Sequence, residues 1–179
     1  MSKNVTQKQF NRFLAFVSLG LAVLLLVGSG LLVMGMQFAD SQVKNQLVQE
    51  KIFFPAADSA GLTAKEFPTL QQYGGQPVDN GVKAKAYADE YIWVHMMKSS
   101  GGKTYAEAST ASRLAPTDTK LAAVKATLFQ GDMLRSSLLT AYAFSVLGTI
   151  AGYATIVCLI GAALLLLGSI LCFVKSARA

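Results

Sequence analysis

Two stretches without a charge constrain this chain more than any other feature. Phe13 to Met36 runs for 24 residues and Ser136 to Val174 for 39, with no Asp, Glu, Lys or Arg in either. About 20 apolar residues in helical form cross a hydrocarbon core of roughly 30 Å. A helix also bonds its own N–H and C=O groups, which lipid cannot do. Each run therefore predicts a transmembrane helix, and together they explain a hydrophobic content of 53%.

The longer run raises the question of a third helix, since its length corresponds to about 58 Å at ~1.5 Å per residue. Two spans would consume nearly all of it, with a turn near Gly148 to Gly152 and no polar loop. Lys175 and Arg178 would then lie on the far side. The favoured reading is one span, residues 154–174, preceded by a protruding or interfacial stretch, residues 141–153. Tyr142 and Tyr153 suit the headgroup boundary, where amphipathic rings concentrate.

Charge placement predicts the orientation. From Asp40 to Arg135 the chain holds all ten acidic residues and eleven Lys and Arg. Lys3, Lys8 and Arg12 precede the first run, and Lys175 and Arg178 follow the second, with no acid beside them. Positive residues flanking spans mark the cytoplasmic side, so both termini are expected in the cytoplasm of a bacterial cell membrane. The sequence pI of about 9.4 thus reflects topology. Nucleic-acid binding is not expected, because that needs basic residues clustered on one face of a domain. The first run is longer than the ~7–15 residues of a signal-peptide core. Gln37 also spoils the best cleavage position, after Ala39, so an uncleaved anchor is expected.

The expected fold is an all-α membrane protein in which two transmembrane helices extend into a mostly helical extracytoplasmic domain. Its parts are a cytoplasmic tail (1–12), transmembrane helix (13–36), extracytoplasmic domain (37–140), the stretch 141–153, transmembrane helix (154–174) and tail (175–179). Met36, Ala39, Val43 and Leu47 keep one helical face, so the first helix should continue outward until Pro55 stops it. Residues 52–81, rich in Pro and Gly but anchored by Phe and Leu, read as an ordered loop with a short helix near Thr63 to Gln72. Helices follow over Val82 to Lys98, capped by Asp79 or Asn80, and over Thr104 to Leu114. A further start at Thr117-Asp118 leads through Leu121, Val124 and Leu128 into the second span. No alternating β pattern occurs.

Candidate chemistry is sparse. His95 is the only histidine, and no spacing joins it to Asp89, Glu90 and a serine as a catalytic set. Nucleotide, zinc-protease, esterase and dithiol motifs are missing, so no cofactor, metal or catalytic residue is expected. Cys158 and Cys172 stand about 21 Å apart along one helix and cannot pair within the chain. The sequon at Asn4-Val5-Thr6 lies on the predicted cytoplasmic side. Small residues are the stronger signal. Gly28 and Gly35 lie one heptad apart, with Gly20 nearly on the same side; Gly161 and Gly168 repeat that spacing, and Gly148 and Gly152 make a GxxxG. Glycines let helix backbones approach closely in lipid, either between these two spans or against a partner. Outside the spans, Phe53, Phe54, Tyr87, Tyr91 and Trp93 are candidates for core or for partner contact.

Several stretches together carry a resemblance: Phe54-Pro55-Ala56-Ala57-Asp58-Ser59-Ala60-Gly61-Leu62, Gln72-Tyr73-Gly74-Gly75-Gln76-Pro77-Val78, Ala86-Tyr87-Ala88-Asp89-Glu90-Tyr91-Ile92, Lys103-Thr104-Tyr105-Ala106-Glu107-Ala108-Ser109 and Leu128-Phe129-Gln130-Gly131-Asp132-Met133-Leu134-Arg135. They resemble a family of small actinobacterial two-span membrane proteins with an external helical domain. Proteins of this kind include accessory subunits of the cytochrome bc–cytochrome oxidase supercomplex. The resemblance implies partners among integral membrane subunits and lipids, and it carries no catalytic residue to transfer. Three functions are weighed. The first is a non-enzymatic accessory or assembly subunit of a larger membrane complex. The second is a self-associating envelope protein, a homo-oligomer, whose external domain binds a ligand or cell-wall component. The third is an envelope enzyme using His95 with Asp89 or Glu90.

Overall fold

The computed structural model describes residues 2–178, with side chains from Thr6 onward. The side chains of Lys3 and Asn4, used above for orientation and the sequon, lie outside the described residues. The described chain is helical apart from one long loop and two short connections. Helix α1 spans Ser2–Gln49, α2 Gly81–Ala86, α3 Trp93–Ser100, α4 Tyr105–Leu114 and α5 Thr119–Arg178. A π-helical stretch, Tyr87–Ile92, joins α2 to α3 without a break. Both α1 and α5 are long and apolar enough to cross a membrane. The chain forms two compact units: residues up to Phe38 with those from Leu147 on, and Ala39–Val146.

The first unit is an antiparallel helix pair. Ser169 Oγ donates to Ala15 O at 2.9 Å and Ser176 Oγ to Lys8 O at 3.3 Å. The Phe16 and Phe173 rings meet edge to face at 5.3 Å. What lies between the helices is small. Ala15, Ala22 and Ser29 are buried on α1, seven residues apart; Gly148, Thr155, Ala162, Ser169 and Ser176 are buried on α5 at the same interval. A repeat of seven keeps one face of a helix against a neighbour over many turns. Here the residues on that face are small enough for the backbones to close up, and a seryl hydroxyl can reach the opposite carbonyl. The other two hydroxyls stay local: Ser29 donates to Leu26 O and Thr155 to Ala151 O.

The second unit has a core of its own. Phe54, Leu62, Phe67, Leu70, Val78, Ile92, Met96, Leu128 and Leu138 are all buried, with Val43 and Leu47 from α1 among them. The stretch from α2 to α3 runs antiparallel to α5, and glycine sets how close they come. A Cβ on Gly81 would collide with the Ser145 side chain, and one on Gly131 would meet the Met96 side chain. Helix ends follow local chemistry. Asn80 Oδ1 accepts from Lys83 N at 3.0 Å. Thr104 and Glu107 make a reciprocal capping box, and Asp118 Oδ1 accepts from the amides of Lys120 and Leu121. Gly101, at φ 64°, ends α3 in the left-handed region, where a side chain would be strained.

Two expectations need correction. Helix α1 stops at Gln49 rather than at Pro55, and Lys51 takes a positive φ of 50°. The cause is a pairing across the loop: Phe53 bridges Pro77, with Phe54 N donating to Gln76 O at 3.0 Å and Val78 N to Ile52 O at 2.9 Å. Those bonds need extended backbone at 52–54, which a helix there would forbid. The expected helix near Thr63 to Gln72 is a run of turns ending in a short 3₁₀ turn, Gln71–Tyr73. Pro68 removes an amide, and the Gln71 side chain supplies donors instead, to Leu62 O at 2.9 Å and Phe67 O at 3.0 Å. Its Oε1 accepts from Asp58 N at 2.8 Å.

Overfilling the seam should separate the helix pair. Ala162→Leu or Ala22→Leu is expected to lower thermal stability in detergent, followed by circular dichroism, by about 1–3 kcal/mol. Leu164→Ala, on an exposed position of α5, should cost less than about 0.5 kcal/mol. Equal losses from all three would refute the seam as the packing surface.

Candidate interaction surfaces

Six rings line up in the second unit. Phe54 meets Tyr73 at 5.3 Å and Tyr87 at 5.0 Å; Tyr87 meets Tyr91 at 4.8 Å; Tyr91 meets Phe67 at 5.6 Å and His95 at 4.4 Å. Tyr87, Tyr91 and His95 follow one another at intervals of four, so one helical face delivers all three. Phe67 comes from the loop and stacks flat on His95, centroids 5.5 Å apart. Such pairs add about 0.5–1.5 kcal/mol each beyond the area they bury, and here they bind the loop to the helix. Burial pushes the Tyr87 phenol up to about 12 and raises Tyr91 as well.

This placement divides the aromatic candidates. Phe54 is 2% exposed and belongs to the core, so it offers nothing to a partner. Tyr87 and Tyr91 are half-buried and packed against that core. Phe53, its neighbour in sequence, is 56% exposed and faces outward. Trp93 is half-buried beneath the Arg135 guanidinium, 4.5 Å from its ring centre.

Arg135 ties α5 to the π-helical turn. Its Nε donates to Ala88 O at 3.0 Å and its Nη2 to Asp89 Oδ1 at 3.0 Å. The i→i+5 pattern there sends the Trp93 amide to the same Ala88 carbonyl. That oxygen therefore accepts twice. Asp89 also pairs with Lys85. The hydrogen bond from Lys85 is the main reason its carboxyl titrates below the usual range; partial burial opposes this, and Arg135 reinforces it. The same pairing holds the Lys85 ammonium above its ordinary value. Lys85 also lies 5.5 Å from the Tyr142 ring centre, which gives that tyrosine a partner inside this unit.

His95, Asp89 and Glu90 each contact other groups. His95 Nδ1 lies 2.9 Å from Tyr91 O and, since a carbonyl only accepts, carries its proton there. Asp89 is taken by Lys85 and Arg135, and Glu90 accepts from the Thr69 hydroxyl. Among the described residues, no three of His, Cys, Asp and Glu gather as a metal site. A groove of about 340 Å³ opens between Gln46, Glu50 and Ile52 on one side and Leu134, Ser137 and Leu138 on the other.

The glycines also separate into two groups. A Cβ on Gly152 would lie 3.0 Å from Met36 Sδ and one on Gly161 would lie 3.2 Å from Leu25 Cδ1, so these two serve the contact between α1 and α5. Gly148 is buried on the seam itself. Gly20, Gly28 and Gly35 on α1, and Gly168 on α5, have nothing within 4 Å of where a Cβ would stand. The seam residues Ser29, Ala162 and Ser169 each sit one position after a glycine singled out in the sequence. Their seven-residue spacing was readable, but glycine drew attention to the neighbouring register. Arg135 could have been suspected as the last charge before the long apolar run.

Asp89→Asn should reduce stability at neutral pH. A depressed folded pKa contributes stability that is present above the unfolded value, near 3.8, and is lost as pH falls through the folded value. The gap between wild type and variant in chemical denaturation should therefore close as pH drops below about 4. A gap independent of pH would contradict the ion-pair account. No family model, curated protein or solved structure matches the chain.

Proposed function

We propose that the protein is a non-enzymatic accessory or assembly subunit of a larger bacterial membrane complex, with the actinobacterial respiratory supercomplex as the specific assembly. On this reading α1 and α5 are its two transmembrane helices, both termini are cytoplasmic, and the unit Ala39–Val146 lies outside. The observation that carries the proposal is the set of open glycines. Glycine inside a helix costs about 1 kcal/mol relative to alanine. Gly152 and Gly161 recover that cost by admitting side chains of α1. Gly20, Gly28, Gly35 and Gly168 have no such neighbour. A second helix drawn close against them supplies the missing benefit, since packing and interhelical hydrogen bonds drive association in lipid.

The second unit supports the same reading. Its lone histidine and the two nearby carboxylates are held by local structural contacts, while Phe53 and Leu114 remain exposed for contact.

Purification from native membranes in a mild detergent, with mass spectrometry of what migrates together, tests the proposal. The chain should travel with larger membrane subunits at fixed stoichiometry. The double variant Gly28→Leu/Gly35→Leu should lower partner recovery about tenfold, an effect of ~1–2 kcal/mol for a tight helix contact. Migration as a free monomer would refute the subunit reading, and migration only as a homodimer would replace it with self-association.

A further inference from the structure

Among the residues whose side chains are described, the first unit carries four cations and no acidic side chain: Lys8 and Arg12 on α1, Lys175 and Arg178 on α5. In sequence they are more than 160 residues apart. The structure brings them to one end of the helix pair, because the Ser176 hydroxyl bonds the carbonyl of Lys8 itself and Ser169 bonds Ala15 two turns further in. Arg12, Lys175 and Arg178 are exposed and Lys8 is half-buried. Just inside them, exposed phenyl rings cover the surface: Phe13 and Phe16 on α1, with Phe173 against Phe16 at 5.3 Å. At the opposite end the first charge after the apolar run of α1 is an acid, Asp40. A layer of cations above a layer of apolar rings, on one end only, matches an amphiphile with an anionic head and hydrocarbon tails.

We infer that this end of the helix pair binds anionic phospholipid, with Lys8, Arg12, Lys175 and Arg178 on the headgroup phosphate and Phe13, Phe16 and Phe173 beside the acyl chains. The inference rests on the reading of α1 and α5 as transmembrane helices. Basic residues at the cytoplasmic ends of spans attract anionic headgroups, and each cation near the surface strengthens binding about fivefold. Both helices are needed, because each brings only two of these four described cations.

The test uses the full chain in a mild detergent, supplied with phosphatidylglycerol or phosphatidylcholine and read by native mass spectrometry as lipids retained per chain. Phosphatidylglycerol should be retained in preference. Changing all four cations to Gln should abolish that preference, and changing one should weaken retention about fivefold. The Lys8→Arg/Lys175→Arg variant should keep it, as should a control that removes equal charge elsewhere, Lys44→Gln/Lys51→Gln/Lys120→Gln/Lys125→Gln. Equal retention of the two lipids, or full retention by the four-Gln variant, would overturn the inference. So would complete displacement by glycerol phosphate, since a site that reads the phosphate alone is not a lipid site. Alkaline carbonate extraction separates the two failures. Release from membranes would overturn the transmembrane reading and this inference together, whereas a chain that stays in the membrane without lipid preference would overturn the inference alone.

Discussion

Close approach of α1 and α5 along a seam of small residues is the interaction on which the first unit depends. Side chains on the outer faces of these helices are large and apolar, and lipid would accommodate them in any rotational setting. Only the seam chooses one setting. Ala15, Ala22 and Ser29 against Gly148, Thr155, Ala162, Ser169 and Ser176 admit a short interhelical distance, and every heptad repeats the choice. Two seryl hydroxyls bonded to carbonyls of the facing helix then set the axial register. A slip by one turn would leave those hydroxyls and carbonyls misaligned along the whole contact.

The second unit solves a different problem, that of holding a loop of some thirty residues to a helical frame. It does so with polar bonds in the middle and rings at the edge. Gln71 bonds three backbone groups of the loop through one amide. The bridge at Phe53 and Pro77 closes its base. Phe54 and Phe67 then insert among Tyr73, Tyr87, Tyr91 and His95. The π-helical turn belongs to the same design. Its wider backbone presents the Ala88 carbonyl to Arg135 while still accepting from the Trp93 amide. A histidine and two carboxylates close in sequence each take part in contacts that join elements.

A subunit reading and a lipid-headgroup reading are compatible because they use different parts of one helix pair. The open glycines lie between Gly20 and Gly35 on α1 and at Gly168 on α5, and the four described cations lie at one end. Neither surface competes with the seam. A helix pair that has already satisfied itself along one face can hold a neighbour on another without unfolding its own contact.

The charge-free runs, a cap at Asp79 or Asn80 and a helix start at Thr117-Asp118 were legible because each depends on a few adjacent residues. Of the face Met36, Ala39, Val43 and Leu47, legible for the same reason, the last three are buried and Met36 is half-buried. Tertiary structure alone decided where α1 ends, since the competing bond partner of residues 52–54 lies more than twenty residues away at Gln76 to Val78. It also decided which small residues meet. A repeat of seven shows that a helix has a seam, but two neighbouring registers, the glycines and the residues after them, share that spacing. Only the facing helix, through the space it leaves and the carbonyls it presents, selects between them.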